Sequence, residues 1–321
     1  VPASLKSVEW LANTVTPWPG QEEPSSYSAG ILGTTARIVL PPGEIGAAVG
    51  RGLVASVIVP DSGGSTRVVR DITSGTELWR VSSESVISRI AFAGEMLIWT
   101  GWPPTPTAIE DAGVYRIELG AGPSSMTRLV AGGPFEPALG ERAERGPLRV
   151  SPSGRLVASS IGGESRVDTQ VVDLADYSLL TTIAGVTPVG VTDSQVIALE
   201  PGALKAVELV GGKTRWSLAI GTHYGVSLLT GGALAIAAYV AKDEYRIEAI
   251  DLESGSLRRL LTTPAAEEHL YLVPGLTGGN DVVLAADPNL GTTLERGPAA
   301  ASVLNVATEK IQEDAFAIGT P

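Results

Sequence analysis

The chain has no cysteine and only two histidines, His223 and His269. Disulfides, thiol nucleophiles and thiolate metal sites are therefore excluded, and little imidazole is left for a metal centre or a general base. Basic side chains are also scarce. There are 23 Lys and Arg against 35 Asp and Glu, a net charge of −12 with no basic run or stripe. Such a chain repels phosphate backbones and anionic headgroups, so neither nucleic acid nor a membrane surface is an expected partner. No apolar run is long enough to span a bilayer, so this segment is not expected to insert into one, and no long amphipathic helical pattern is present. Only five residues are Lys. The missing cysteines do not locate the protein, because a β domain of this size folds without a staple.

Hydrophobic residues make up 44% of the 321 positions. The 38 Gly and 22 Pro fall mostly at joints between apolar runs, which is turn chemistry. One phrase recurs six times: a strand ending in an acidic or amide residue and an aliphatic one, then a turn and a second strand. It occurs at Asp71-Ile72, Glu118-Leu119, Asp173-Leu174, Glu208-Leu209, Asp251-Leu252 and Asn305-Val306, at intervals of 35 to 55 residues. Each interval suits one four-stranded sheet, so the expected architecture is all-β: a β-propeller of six blades, with seven as the runner-up. Residues 44–318 carry the blades. Residues 1–43 read as an N-terminal extension in which Ala36–Leu40 completes the last blade and closes the ring, removing open edges. A seventh blade arises if residues 1–43 supply one. Residues 13–30, rich in Pro, Ser, Gly and Glu, read as a tether. With a start at Val1 rather than Met, that tether suggests an exported domain, periplasmic or at the cell surface.

Leu148–Ala158 places a Ser-Pro-Ser-Gly turn between two strands, with Pro fixing φ and Gly154 supplying a positive φ. It resembles the hairpin of TolB-like and WD40-like propeller repeats. Gly75-Thr-Glu-Leu-Trp79 and Gly212-Lys-Thr-Arg-Trp216 end two phrases alike, and the next keeps Gly255 but has Arg259 in place of Trp. This resembles the repeat of quinoprotein-like propellers, the BamB type included. The resemblance implies that Trp79 and Trp216 wedge between neighbouring blades. It covers two blades and part of a third, and it bears on the fold rather than on function. Quinoprotein propellers usually have eight blades, a departure from the six expected here.

No nucleophile elbow and no His-Glu-x-x-His motif occurs. Gly211-Gly212-Lys213-Thr214 lacks the earlier glycine and the following helix of a phosphate loop and reads as a hairpin turn. Gly120-Ala121-Gly122 is no dinucleotide fingerprint, and Asp287-Pro288-Asn289 offers too few oxygens for calcium. No cofactor is expected. Paired carboxylates occur at Glu22-Glu23, Glu110-Asp111, Asp243-Glu244, Glu267-Glu268 and Glu313-Asp314. All read as loops or strand ends, where charge is usually solvated. Glu110-Asp111 lies in a Pro-rich insertion beside Trp99, Trp102 and Tyr115, so these five residues form the expected binding surface; aromatics beside carboxylates suit sugars or cations. The expected function is a non-enzymatic, extracytoplasmic scaffold or sensor that binds a protein or small ligand. The alternative is a carboxylate-dependent, glycan-active hydrolase or lyase, which would need two carboxylates facing each other. A redox propeller is disfavoured by the shortage of His and Cys.

Overall fold

The computed structural model describes residues 1–14, 26–59, 64–83, 86–102, 113–131, 148–163, 166–229, 233–265, 270–285 and 299–318. They form seven antiparallel sheets, each built from strands consecutive in sequence. The first has three strands, β1 (Glu9–Thr14), β2 (Ser26–Ile31) and β3 (Arg37–Val39). The second holds β4 (Ile45–Gly50), β5 (Leu53–Ile58), β6 (Ser65–Asp71) and β7 (Glu77–Ser83). The third holds β8 (Val86–Ala93), β9 (Met96–Trp102), β10 (Gly113–Glu118) and β11 (Thr127–Ala131). The fourth holds β12 (Leu148–Val150), β13 (Leu156–Gly163), β14 (Arg166–Asp173) and β15 (Leu179–Ile183). The fifth holds β16 (Thr187–Val191), β17 (Gln195–Glu200), β18 (Ala203–Glu208) and β19 (Thr214–Ala219). The sixth holds β20 (His223–Leu228), β21 (Leu234–Ala241), β22 (Glu244–Asp251) and β23 (Leu257–Pro264). The seventh holds β24 (Tyr271–Gly278), β25 (Asp281–Ala285), β26 (Ala299–Asn305) and β27 (Lys310–Ile318).

The sheets number seven, the runner-up count rather than the six expected, because residues 1–43 supply a sheet of their own. Ala36–Leu40 contributes β3, which pairs with β2 inside the N-terminal sheet rather than completing the last one. The tether reading of 13–30 is also corrected: Asn13-Thr14 end β1 and 26–30 belong to β2, so only 15–25 lies outside the described residues.

Two compact units divide the chain: Val1–Gly46 with Asp71–Gly75 and Ser217–Pro321, and Ala47–Arg70 with Thr76–Trp216. Each is a stack of sheets, and the second strands show how the cores form. On β9, Leu97 and Trp99 face the β4–β7 sheet, while Ile98 faces the β12–β15 sheet. On β13, Val157 faces the β8–β11 sheet, and Leu156 and Ala158 face β16–β19. In the other unit, Val283 and Ala285 of β25 meet Leu5, Trp10 and Leu32, whereas Val282 and Leu284 meet Ile236, Tyr245 and Ile247. A strand covered on both faces needs no polar alternation, which is why these segments read as unbroken apolar runs.

The recurring phrase is a lock. Its first member is the last residue of the third strand in each four-stranded sheet: Asp71, Glu118, Asp173, Glu208, Asp251 and Asn305. The aliphatic member turns into the core, and Ile72, Leu174, Leu209, Leu252 and Val306 are all buried. Its backbone NH donates to the connection between the first and second strands: Leu119 to Glu95, Leu174 to Arg155, Leu209 to Ser194, Leu252 to Ala233 and Val306 to Asn280. The two hairpins of a blade are thereby tied together at one end. The three-stranded sheet has the same lock, because the Leu32 NH donates to Val8 O, just before β1. Hence β1, β2 and β3 correspond to second, third and fourth strands, and this sheet has no counterpart of a first strand among the described residues.

Four positions past each polar residue the chain takes a left-handed φ: Gly75 (72°), Gly122 (64°), Tyr177 (63°), Gly212 (64°), Gly255 (71°) and Glu309 (57°). Glycine adopts this conformation freely, whereas other L-residues pay roughly 1 kcal/mol or more. Glu309→Gly is therefore expected to stabilise the protein by about 0.5–1 kcal/mol in urea unfolding, after loss of its exposed ion pair with Arg258. Destabilisation would show that the strain at 309 is not real.

Candidate functional site

The connections at the two ends of the sheets differ in length. At the locked end, between first and second or third and fourth strands, the connections among the described residues are short; the longest runs from Leu119 to Met126 and contains a short 3-10 turn, Gly122–Ser125. Four long segments, 15–25, 103–112, 132–147 and 286–298, lie outside the described residues. Segments 15–25, 103–112 and 286–298 join a second-strand position to a third; 132–147 joins a fourth strand to the next first. In an antiparallel meander both kinds of connection leave strand ends opposite the locked turns of their own sheet.

Segment 103–112 is rooted on β9 and β10, and its root is aromatic. Trp99 and Tyr115 are directly opposed across these strands. Their rings stack with centroids 5.6 Å apart and planes 9° from parallel. Arg67, on β6 of the neighbouring sheet, lays its guanidinium carbon 4.4 Å from the Trp99 ring centroid. Trp99 is 1% exposed and Arg67 fully buried. Burial pushes the Arg67 pKa down to about 10, partly opposed by the nearby Tyr115 hydroxyl, so the guanidinium stays charged at neutral pH. A charge removed from water and held over an indole face gains from the ring quadrupole what bulk water no longer supplies. The cluster fixes where segment 103–112 leaves the sheet.

Of the five expected binding residues, the structure brings Trp99 and Tyr115 together but turns Trp99 into the core. Trp102 is the last residue of β9, at the root of the insertion. Glu110 and Asp111 lie outside the described residues, as do Glu22-Glu23, Glu267-Glu268, Asp287, Asn289 and His269. His223 opens β20. Lys242 and Asp243 both take left-handed φ, of 51° and 63°, in the two-residue turn between β21 and β22. Gly211 and Gly212 likewise lie in the turn before β19, with φ of 83° and 64° and no helix following. Trp79 is half-buried on β7 and lies against the Gly122 turn of the next sheet, 3.5 Å from the position of a Gly122 Cβ. Trp216 is half-buried on β19.

Other carboxylates serve the frame. Asp71 accepts the NH and hydroxyl of Ser74; Asp251 does the same for Ser254 and also accepts the Glu253 NH. The Asn305 Oδ1 accepts from Thr308 in the same way. Asp173 accepts two hydrogen bonds from Arg155 at 2.6 and 3.0 Å and one from the Ala175 NH. These bonds hold the three aspartates below the ordinary carboxylate range, from Ser74 at Asp71, from Arg155 at Asp173 and from Ser254 at Asp251. A depressed folded pKa contributes stability that is full above the unfolded value and lost as pH falls through the folded one. Stability is therefore expected to fall as pH drops below about 4, and Asp71→Asn with Asp251→Asn should flatten that fall in urea titrations at pH 2–6 (roughly the span of the titration). An unchanged slope would deny the turns this role.

Sequence reasoning missed two buried polar centres, Arg67 and the Tyr239–Glu248 pair. The Tyr239 hydroxyl donates to Glu248 Oε2 across β21 and β22, and Arg259 Nε approaches the other oxygen at 3.4 Å. Both Tyr239 and Glu248 are nearly fully buried, and burial followed by the Glu248 contact raises the Tyr239 pKa. The available signal was Arg259 in the place of the repeat's Trp: a polar outer residue there accompanies a polar third-strand residue. Among the described residues, no group of three or more His, Cys, Asp or Glu is placed to hold a metal, and no helix is long and apolar enough to cross a membrane.

No protein-family model and no curated protein matches the sequence. Solved structures do match. A Bacteroides uniformis structure named as a "putative 6-phosphogluconolactonase" aligns over 97% of this chain and 96% of its own, with TM-score 0.56 and 15% identity. A like-named Bacteroides fragilis structure aligns over 100% and 97%, with TM-score 0.52 and 12% identity. A chain from a study of two prolyl endopeptidases aligns over 99% of this chain and 50% of its own, with TM-score 0.57 and 16% identity. The fold is a β-propeller. At these identities the likeness extends to the fold alone, and the propeller spans about half of the endopeptidase chain it matches.

Proposed function

We propose that this propeller is a non-catalytic scaffold or sensor that binds a protein or small ligand through its long connections, including Trp102, Glu110 and Asp111. The observation that carries this reading is that each of the four long segments joins strand ends away from the locked turns. A rigid frame with variable loops at one end is the usual arrangement of a binding surface. The chemistry of the segments agrees. They hold Glu22, Glu23, Glu110, Asp111, Glu136, Glu141, Glu144, Asp287 and Glu295 against Arg142, Arg145 and Arg296. That surplus of six negative charges is half of the net −12. It favours a cationic or hydroxyl-rich partner over a phosphorylated one. Closure of the seven sheets into a ring belongs to the same reading.

The names of the two Bacteroides structures, matched over nearly their full length, support a second reading as a hydrolase. The acidic surplus opposes it for a phosphorylated lactone. The scaffold reading expects the purified protein to hydrolyse 6-phosphogluconolactone no faster than buffer. It also expects a partner captured by the wild-type chain to be lost when 103–112 is replaced by an Asn-Gly turn, with cooperative unfolding retained. Lactone turnover that disappears on Glu110→Gln and Asp111→Asn would replace this reading with the hydrolase.

A further inference from the structure

The N-terminal sheet is one strand short, and what it lacks among the described residues is a first strand. Each of the other six sheets fills that place with an extended segment beside its second strand. Here β1, the second-strand counterpart, pairs with β2 alone. The Leu32 NH donates to Val8 O, so Val8 is turned towards β2. Alternation along the ladder then points the NH and C=O of Trp10 and Ala12 at β2, and those of Leu11 and Asn13 at the open side. This edge carries none of the usual guards against a further strand. All of Glu9–Thr14 pairs with β2 without a register shift, no proline is present, and Glu9 is its single charge. Both faces beside the edge are covered. Trp10 packs into an apolar cluster with Val273 and Val283 of the seventh sheet. Leu11 lies over Gly46, its Cδ1 2.6 Å from where a Gly46 Cβ would stand.

We infer that the β1 edge accepts a strand from a partner protein: an extended peptide, apolar over about five residues and basic at its ends. The backbone row selects a strand, because an extended chain matches its repeat of donors and acceptors. Cover on both faces selects apolar side chains, since a residue opposite Trp10 shares the Trp10 face and one opposite Leu11 shares the other. The first strands β4 and β16 have this character, Ile-Gly-Ala-Ala-Val-Gly and Thr-Pro-Val-Gly-Val, without charge. Charge selects the basic ends. Strand β1 holds Glu9 and no basic residue, and the chain as a whole carries −12, which attracts a cationic peptide and repels a second copy. Every described strand already belongs to a sheet, so none is left to take the place. This surface stands on the strand order of the N-terminal sheet, independently of the long connections and of the function proposed for them.

The probe is the synthetic peptide Lys-Lys-Val-Thr-Ile-Ala-Val-Lys, titrated against the full chain up to about 1 mM. Saturable binding is expected, at least about tenfold weaker when glutamates replace the lysines, and lost when alternate peptide amides are N-methylated. Amide exchange locates it. Leu11 and Asn13 should exchange fast in the protein alone and at least about tenfold slower with peptide, while Trp10 and Ala12 stay slow in both. Asn13→Pro removes an outward donor without touching the β1–β2 ladder. It should weaken binding at least about tenfold, with cooperative unfolding retained. No binding, binding insensitive to N-methylation, to peptide charge or to Asn13→Pro, or Leu11 and Asn13 already protected without peptide overturns the inference.

Discussion

Trp99→Ala is expected to cost about 3–5 kcal/mol, the range for emptying a site filled by a large buried aromatic. Trp99 is 1% exposed and packs with Ala55, Val57, Val69, Ile90, Leu97 and Ile117. Its loss also removes the Tyr115 stack and the ring over which the buried Arg67 sits. Urea unfolding should show a large fall in midpoint, and thermal unfolding a drop on the order of 10 °C. Trp99→Phe, which keeps an aromatic face, should lose markedly less. The sequence reading of Trp99 as part of a ligand-facing surface makes a different prediction, a change within about 0.5 kcal/mol. The two readings differ by more than the error of the measurement.

Gly278→Ala is the second large effect. A Cβ on Gly278 would stand 2.0 Å from the Ser4 carbonyl oxygen and 2.8 Å from its carbon. Backbone cannot yield there as a side chain could, so one of the two segments must move. The N-terminal turn Ala3–Leu5 is the cheaper to displace. It is held by Leu5, fully buried beside Val273 and Val283, and by a hydrogen bond from Ser4 to Asp281, itself bonded to Asn305. Freeing it costs about 2–4 kcal/mol, mostly the burial of Leu5. The expected result is tryptic cleavage after Lys6 at least about tenfold faster, the open form being populated in proportion to that cost. Gly120→Ala, with nothing within 4 Å of its Cβ, is the control. Unchanged cleavage would mean that residues 1–7 do not dock on β24.

The six blades read from the phrase correspond to six sheets because the phrase is a local requirement. A polar residue must close the turn and an aliphatic one must enter the core, and both are written within six residues. The N-terminal sheet stood only as the seven-blade alternative because its version, Gly30-Ile31-Leu32, keeps the buried aliphatic but puts Ile31 in the polar place. Small residues in β2 looked like a tether. Gly30 is small because the Trp10 indole lies over it, 2.6 Å from where a Cβ would be, and that contact is not visible in sequence. Trp99 and Tyr115 were legible as neighbours, since 99 and 115 flank one hairpin. The burial of Trp99 was not, because it depends on Arg67 and an apolar face supplied by another sheet.

The central claim is that six of the seven sheets, the N-terminal one included, are locked at the tight-turn end by the same hydrogen bond. Native-state amide exchange tests it most directly. Slow exchange is predicted for Leu32 at a rate comparable to Leu119, Leu174, Leu209, Leu252 and Val306. A Leu32 amide exchanging as freely as an unfolded chain, with the other five protected, would contradict it and return the molecule to six blades.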